Sequence, residues 1–370
     1  MTANGLTKLL GIEHSIIQAP MAGGTTTPEL VAAVSNAGGL GSIGAAYLTP
    51  AQITEAIATV RRLTDRPFGV NLFVAPSAPD PGAWDSRPML TFLSPHYAAV
   101  GLPPPEVPGS FAPDPEAQWA AVLAERVPVF SFTFGVPDRA LIAAFQAGGT
   151  RVFGSATTVA EARILAEAGV DGVVAQGSEA GAHRATFAAG FEESLVGTLA
   201  LIPQVVDAVD VPVVASGGIM DGRGIVAAEA LGAAGVQLGT AFLTTDEAGT
   251  SPAYRNALLR ARDDQTVITR AFSGRPARGI VNAFIEQMSA ADAPEPLPFP
   301  VQNALTGPMR RAAAQQDDAE RLALWAGQGV ALARTIGAGE LVARLVEERE
   351  RVVRTLSAAP TTLPPGESRA

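Results

Sequence analysis

The sequence predicts an α/β protein, a (β/α)8 TIM barrel carrying a smaller, mostly helical second domain. Three observations lead there. The chain has 370 residues, enough for a barrel of about 250 residues and an additional unit. Hydrophobic residues make up 47%, the proportion of a globular chain with a sizeable core. A unit also repeats: four times a helix-like segment ends in Ala-Gly and runs into a short apolar stretch, at Ala37-Gly38, Ala147-Gly148, Ala168-Gly169 and Ala234-Gly235. Glycine just past a helix accepts the left-handed turn there. The apolar run that follows is too short for a helix and suits a strand buried on both faces.

Taken in order, strands are expected at 16–19, 40–43, 69–73, 129–133, 151–154, 172–175, 213–215 and 236–238. Amphipathic helical stretches such as 50–63, 159–168 and 222–231 separate most of them. Eight alternations favour a closed barrel, with an open doubly wound sheet as the alternative. Two regions break the rhythm. Segment 76–115 is proline-rich and too long for an ordinary βα loop, so it is expected to cover the barrel mouth. After the eighth strand the pattern stops. Residues 1–243 are therefore expected to form the barrel and 244–337 a helical cap or substrate domain, with a proline cluster at 294–300. A closing helix around 338–357 carries an apolar stripe (Leu341, Val342, Leu345, Val352) and is expected to return to the barrel wall. The tail, 358–370, reads as flexible.

Charge and composition exclude several functions. There are 26 Lys+Arg against 36 Asp+Glu, a net charge of −10, and a single lysine, Lys8. A nucleic-acid surface needs clustered basic residues, so none is expected. With no cysteine, disulfides, thiolate catalysis and cysteine-held clusters are out. The first residues lack the apolar stretch of a secretory signal. The longest uncharged stretch is broken by Ser35, Asn36, glycines and Pro50, which does not suit a membrane span. The expectation is a cytoplasmic protein with no membrane partner.

The strand ends hold the candidate chemistry. The seventh strand runs into Ser216-Gly217-Gly218-Ile219, with a helix opening near Asp221; the eighth runs into Gln237-Leu238-Gly239-Thr240. Glycines let backbone N–H groups approach an anion, and a helix N-terminus adds positive partial charge. Barrels commonly hold a phosphate there. Without a nearby lysine it would rest on backbone and hydroxyl donors; otherwise these glycines merely form tight turns. The sixth strand ends in Gln176-Gly177-Ser178-Glu179-Ala180-Gly181-Ala182-His183. Of three histidines (His14, His96, His183), only His183 follows a barrel strand, in a small-residue loop where a general base could stand. A solvated loop histidine is the alternative. No HExxH or second nearby histidine suggests a metal. The first strand leads into Met21, Ala22 and Gly23, and the third contains Asn71, a polar amide whose partners an extended heterocycle could supply.

Together, IIQAPMAGG, GVNLF, VVAQGSEAGAH, VPVVASGGI and GVQLGTAF closely resemble the nitronate monooxygenases, formerly called 2-nitropropane dioxygenases. The resemblance runs in order from about residue 11 to 242, and the Gln-Gly-x-Glu-Ala-Gly-x-His string is its most specific part. It implies a barrel that binds FMN non-covalently, with a smaller helical domain over the mouth. By position, Asn71, Gln176, Gly181, Gly217, Gly218, Gln237, Leu238, Gly239 and Thr240 would contact the flavin. Met21, Ala22 and Gly23 would lie beside the isoalloxazine, and His183 would be catalytic. The implied reaction converts alkyl nitronates with O2 to carbonyl compounds and nitrite; whether nitroalkanes also serve is left open. Two departures stand out. Gly135-Val136-Pro137 replaces a common Gly-Leu-Pro, and Phe299, Asn303 and Gly307 occupy a region where the best-described class carries tyrosines and a lysine. Subclass and preferred nitronate therefore stay open. An FMN barrel reductase using NAD(P)H on a quinone or enoyl thioester would need the same strand ends. A phosphate-binding lyase or a flavin carrier is more distant, since a lyase would want a Schiff-base lysine or a metal cluster.

Overall fold

The computed structural model describes residues 5–74 and 81–358. Eight parallel strands form one sheet: β1 (Ile16–Gln18), β2 (Gly41–Gly44), β3 (Phe68–Phe73), β4 (Val129–Thr133), β5 (Arg151–Ala156), β6 (Gly172–Gln176), β8 (Val213–Ser216) and β9 (Gly235–Leu238). A two-residue strand, β7 (Ala182–His183), follows β6 but lies outside this sheet. The order is β1-β9-β8-β6-β5-β4-β3-β2, and a parallel bridge between Ile17 and Leu40 joins the two ends. The sheet is thus a barrel, as the alternation of elements predicts.

Both faces of the strands are apolar because both are covered. Val173, Ala175, Val213 and Ala215 pack outward with the helices, in one core with Leu165, Leu201, Ile202 and Ile225. The intervening Val174 and Val214 point the other way and join Ile17, Leu40, Val129 and Phe153 in an inner core. Leu6, Leu10 and Ile12 complete that inner core from the N-terminal segment. This strict period of two fixes the register.

Helix starts follow local chemistry. Thr49 caps Pro50–Leu63 with a reciprocal box, its hydroxyl accepting from Gln52 N–H while Gln52 Oε1 accepts from Thr49 N–H. The Ala-Gly rule holds at Gly38 and Gly169, whose φ values are +86° and +92°. It shifts at the other two: Gly149 (φ +87°) and Gly232 (φ +93°) make the left-handed turns instead. Gly235 is required for space, since a Cβ there would lie 2.5 Å from Leu6 Cδ2 and 2.7 Å from Ser15 O.

The closing helix, Ala338–Ala358, packs against Gly222–Ala230 and Pro28–Asn36. Gly222 permits the approach, because a Cβ would fall 2.3 Å from Arg349 N. The proposed tail beyond residue 358 lies outside the described residues.

Segment 244–337, expected to be mostly helical, also holds two strands: β10 (Thr266–Thr269) and β11 (Ala277–Ile280) form a hairpin, and β11 pairs antiparallel with β7. Segment 76–115 is not all covering loop, since Arg87–Ala99 is a helix despite Pro95; residues 75–80 lie outside the described residues. Its Met89, Leu93 and Tyr97 share a second core with Phe284, Val301, Leu305 and Met309. Long-range burial outweighs the local proline there. No helix among the described residues is long and apolar enough to cross a membrane.

Candidate active site

A cavity of about 810 Å³ opens at the C-terminal ends of the barrel strands. Its floor and walls come from strand ends and βα loops, and its opposite side from residues such as Tyr254, Asn303, Arg310 and Trp325. Residues of segment 244–337 thus share this cavity with the strand ends. All thirteen sequence-derived candidates line this one cavity: Met21, Ala22, Gly23, Asn71, Gln176, Gly181, His183, Gly217, Gly218, Gln237, Leu238, Gly239 and Thr240.

One wall is a cradle of backbone donors. Gly217 and Gly218 after β8 take φ values of +121° and +70°, conformations that side chains resist. Neither their N–H groups nor that of Thr240 reach a protein acceptor among the described residues. Gly239 is half-buried beside Met21, with nothing closer than 3.6 Å to where its Cβ would be. Free N–H groups on bare backbone at adjacent strand ends suit a phosphate held without lysine. The donor set and the size of the cavity thus fit a flavin mononucleotide.

Two amides are fixed in different ways. Asn71 is buried within β3, where its Nδ2 donates to Ser131 Oγ at 2.9 Å. Gln176 Oε1 accepts from Arg184 Nη1 and Ala185 N–H, both at 2.9 Å, and its Nε2 donates to the His183 carbonyl at 3.1 Å. Arg184, fully buried, also donates to the carbonyls of Gly177 and Ser194. Sequence reading passed over Arg184, although it sits beside His183 and holds the β6 end and the β7 strand together.

His183 is on a strand, not in a loop. β7 pairs with β11, and Ala182 beside it takes φ +60°. The imidazole sits inside an aromatic enclosure of Phe73, Phe134, Phe299 and Trp325, with ring centroids between 5.7 and 6.3 Å away. Its Nε2 lies 2.8 Å from Ser273 Oγ. That hydroxyl donates to Arg275 O at 3.0 Å and accepts from Arg275 N–H at 3.2 Å. With its one proton donated toward Arg275 O, Ser273 Oγ accepts from His183, so the proton of the neutral ring is assigned to Nε2 and Nδ1 is the basic nitrogen.

The charge state follows from the surroundings. Burial pushes the His183 pKa down to about 3, and the positive charges of Arg275 and Arg310 add to the effect. The ring is neutral at physiological pH. Arg275 itself stacks its guanidinium 3.9 Å above Phe134. Phe134 holds φ +78°, a conformation costly for a bulky residue and retained here where the cavity is shaped.

Comparison with known proteins agrees with this geometry. The sequence model of the nitronate monooxygenase family matches residues 3–348. This chain belongs to the nitronate monooxygenase family. A Staphylococcus aureus chain described as a probable nitronate monooxygenase is 44% identical over 95% of this chain and 98% of its own length. Among solved structures, a nitroalkane oxidase from Streptomyces ansochromogenes superposes with a TM-score of 0.87 at 44% identity, over 95% of this chain and 99% of that one. FabK from Thermotoga maritima gives a TM-score of 0.75 at 30% identity, over 97% and 100%. The protein is therefore an enzyme of a flavin-dependent oxidoreductase family, acting on small molecules.

Several residues around His183 escaped sequence reading. Ser273, Arg275, Tyr47, Phe134 and Trp325 lie far from it along the chain and carry no motif. Arg310 was three positions beyond Gly307, where the sequence signal had already stopped.

Proposed function

We propose that this enzyme uses FMN and O2 to convert alkyl nitronates to carbonyl compounds and nitrite, and that it works in the cytoplasm with segment 244–337 as the substrate-covering unit. The observation that supports this best is a neutral histidine in an apolar enclosure, within the same cavity as a cradle of unpaired N–H groups. When bound, FMN supplies the electron acceptor and the relay to oxygen. The N–H groups at Gly217, Gly218 and Thr240 would hold its phosphate, with Asn71 and Gln176 presenting amides to the ring system.

The chain's own part is binding, orientation and proton handling. Phe73, Phe134, Phe299 and Trp325 surround His183 with apolar rings, which lowers the local polarity and strengthens electrostatic interactions there. A preformed nitronate needs no base. For a neutral nitroalkane, Nδ1 of neutral His183 would remove the α-proton while Ser273 holds Nε2. Such a base is weak while its pKa stays near 3. An anion formed beside it offsets the arginine charges and raises that pKa as the proton arrives.

Anaerobic mixing tests this reading directly. Ethylnitronate should bleach the flavin absorbance of the purified yellow protein, and NADH in a parallel cuvette should not. Bleaching by NADH alone would replace the proposal with the reductase alternative. Release of FAD, in place of FMN, on denaturation would overturn the cofactor assignment.

A further inference from the structure

In a chain of net charge −10, the described residues lining the cavity include Arg310 and Arg311 but no aspartate, glutamate or lysine. Arg310 projects from the helix Val301–Gln315. Its Nη2 donates to Asn303 Oδ1 at 2.8 Å and Asn303 O at 3.0 Å. Its Nε is buried with no partner, and Nη1 bonds to none of the described residues. The titratable neighbours that influence it are Arg311 and the phenols of Tyr47 and Tyr97, none of them a carboxylate. Burial pushes the Tyr47 phenol up to about 12, so it stays neutral and offers no counter-charge. A half-buried guanidinium whose Nε is shut away without a partner and which has no carboxylate beside it is costly unless a ligand brings the opposite charge.

Its location separates it from the phosphate cradle. Tyr47 follows β2, and its ring meets Phe73 edge-on at 5.7 Å; Phe73 in turn lies 6.3 Å from His183. The Arg310 charge reaches His183 itself. The cradle belongs instead to β8 and β9, with β9 and β1 standing between β8 and β2 round the barrel. Gly307 leaves the helix face bare where the guanidiniums lie: a Cβ there would sit 3.2 Å from Arg311 Nη1 and 3.9 Å from Arg310 Nη2. Arg311 is exposed at the rim, placed to draw anions inward.

We propose that Arg310 is the counter-ion for the substrate, binding the two-oxygen head of a nitronate and setting a preference for nitronates over neutral nitroalkanes. The inference rests on the nitronate reading above. A guanidinium offers planar paired donors to a planar oxyanion. A nitroalkane has nearly the same shape but no net charge, so discrimination comes from charge.

The test uses flavin-loaded wild type, Arg310→Met and Arg310→Lys. Nitrate, a planar oxyanion of similar head geometry, is titrated against each by calorimetry. Rates are measured on ethylnitronate, nitroethane and 4-nitrobutanoate. In Arg310→Met, nitrate affinity and the ethylnitronate-to-nitroethane ratio of kcat/KM should each fall on the order of 10–100-fold, largely through KM. FMN content should hold, and Arg310→Lys should recover part of the loss. Unchanged nitrate affinity, equal losses on both simple substrates, loss of flavin, or a loss confined to 4-nitrobutanoate would each overturn the assignment. If the wild type turns over no nitronate, the activity reading fails, while the nitrate titration still decides whether Arg310 is an anion site.

Discussion

Ser273 and His183 are 90 residues apart in sequence, yet Ser273 Oγ lies 2.8 Å from His183 Nε2. The contact exists because β11 pairs with β7, which brings the β10–β11 hairpin against His183. Since the hydroxyl also donates to Arg275 O, it is left to accept from the ring. Ser273→Ala should free the imidazole to exchange tautomers and rotate. The loss of one orienting hydrogen bond, about 1–1.5 kcal/mol, corresponds to roughly tenfold in rate on nitroethane. The ring nitrogen shifts in a 15N NMR spectrum should change from a single Nε2–H form to a mixture. An unchanged spectrum and rate would remove Ser273 from the mechanism.

Replacing His183 separates two roles. His183→Ala should lose about 10²–10⁴-fold on neutral nitroethane, the usual contribution of a positioned base. Ethylnitronate has already lost that proton and should be affected much less. Flavin content should match wild type. Steady-state rates on both substrates at equal flavin loading check this, and equal losses would reassign His183 to anion stabilisation.

The His183 environment also fixes a pH dependence. Its folded pKa is depressed to about 3, below an unfolded value near 6.5. The unfolded chain therefore binds the proton first. The stability due to a neutral His183 is fully present above about pH 6.5 and is lost as pH falls from there toward 3. The limiting slope is about 1.4 kcal/mol per pH unit. Comparing denaturation midpoints of wild type and His183→Gln between pH 7.5 and 5 should show the variant with the smaller decline. The wild-type rate on nitroethane should show no acid limb near pH 6.5. An acid limb there that disappears in the variant would mean that the histidine is far less buried in solution.

Much of the barrel was legible because parallel strands buried on both faces are uninterrupted apolar runs, and their helices end in recognisable turns. Helix 159–168 and strand 129–133 read correctly to the residue. The cavity-lining residues on the barrel were legible for a related reason: they sit at strand ends, where glycine, glutamine and histidine interrupt the apolar code. Segment 244–337 was harder. In Thr266–Thr269 the two apolar residues, Val267 and Ile268, are adjacent and show no alternation, so the strand has no period to detect. The partners of His183 come mostly from that region and from loops, where tertiary pairing alone brings Ser273, Arg275, Phe299 and Trp325 together.

The cradle makes the last prediction. Gly217 takes φ +121°, a region open essentially to glycine, and a Cβ there would lie 2.8 Å from Thr198 Oγ1 and 3.2 Å from Gly177 O. Thr198 cannot simply yield, because its hydroxyl donates to Glu179 Oε2 at 2.8 Å and its N–H donates to the same carboxylate at 2.9 Å. Gly177 O is equally committed, accepting from Arg184 Nη1 at 2.6 Å. The backbone must therefore turn, which moves the unpaired N–H groups away from the anion they would hold. With strain on the order of 1–3 kcal/mol, Gly217→Ala should weaken FMN binding by about 10–100-fold. The barrel itself should keep its far-UV circular dichroism, since β8 ends at Ser216. Flavin fluorescence titration of the apoprotein measures the change. Wild-type FMN affinity in this variant would mean that the phosphate rests elsewhere, whereas weaker binding with an intact fold would tie it to the β8 turn.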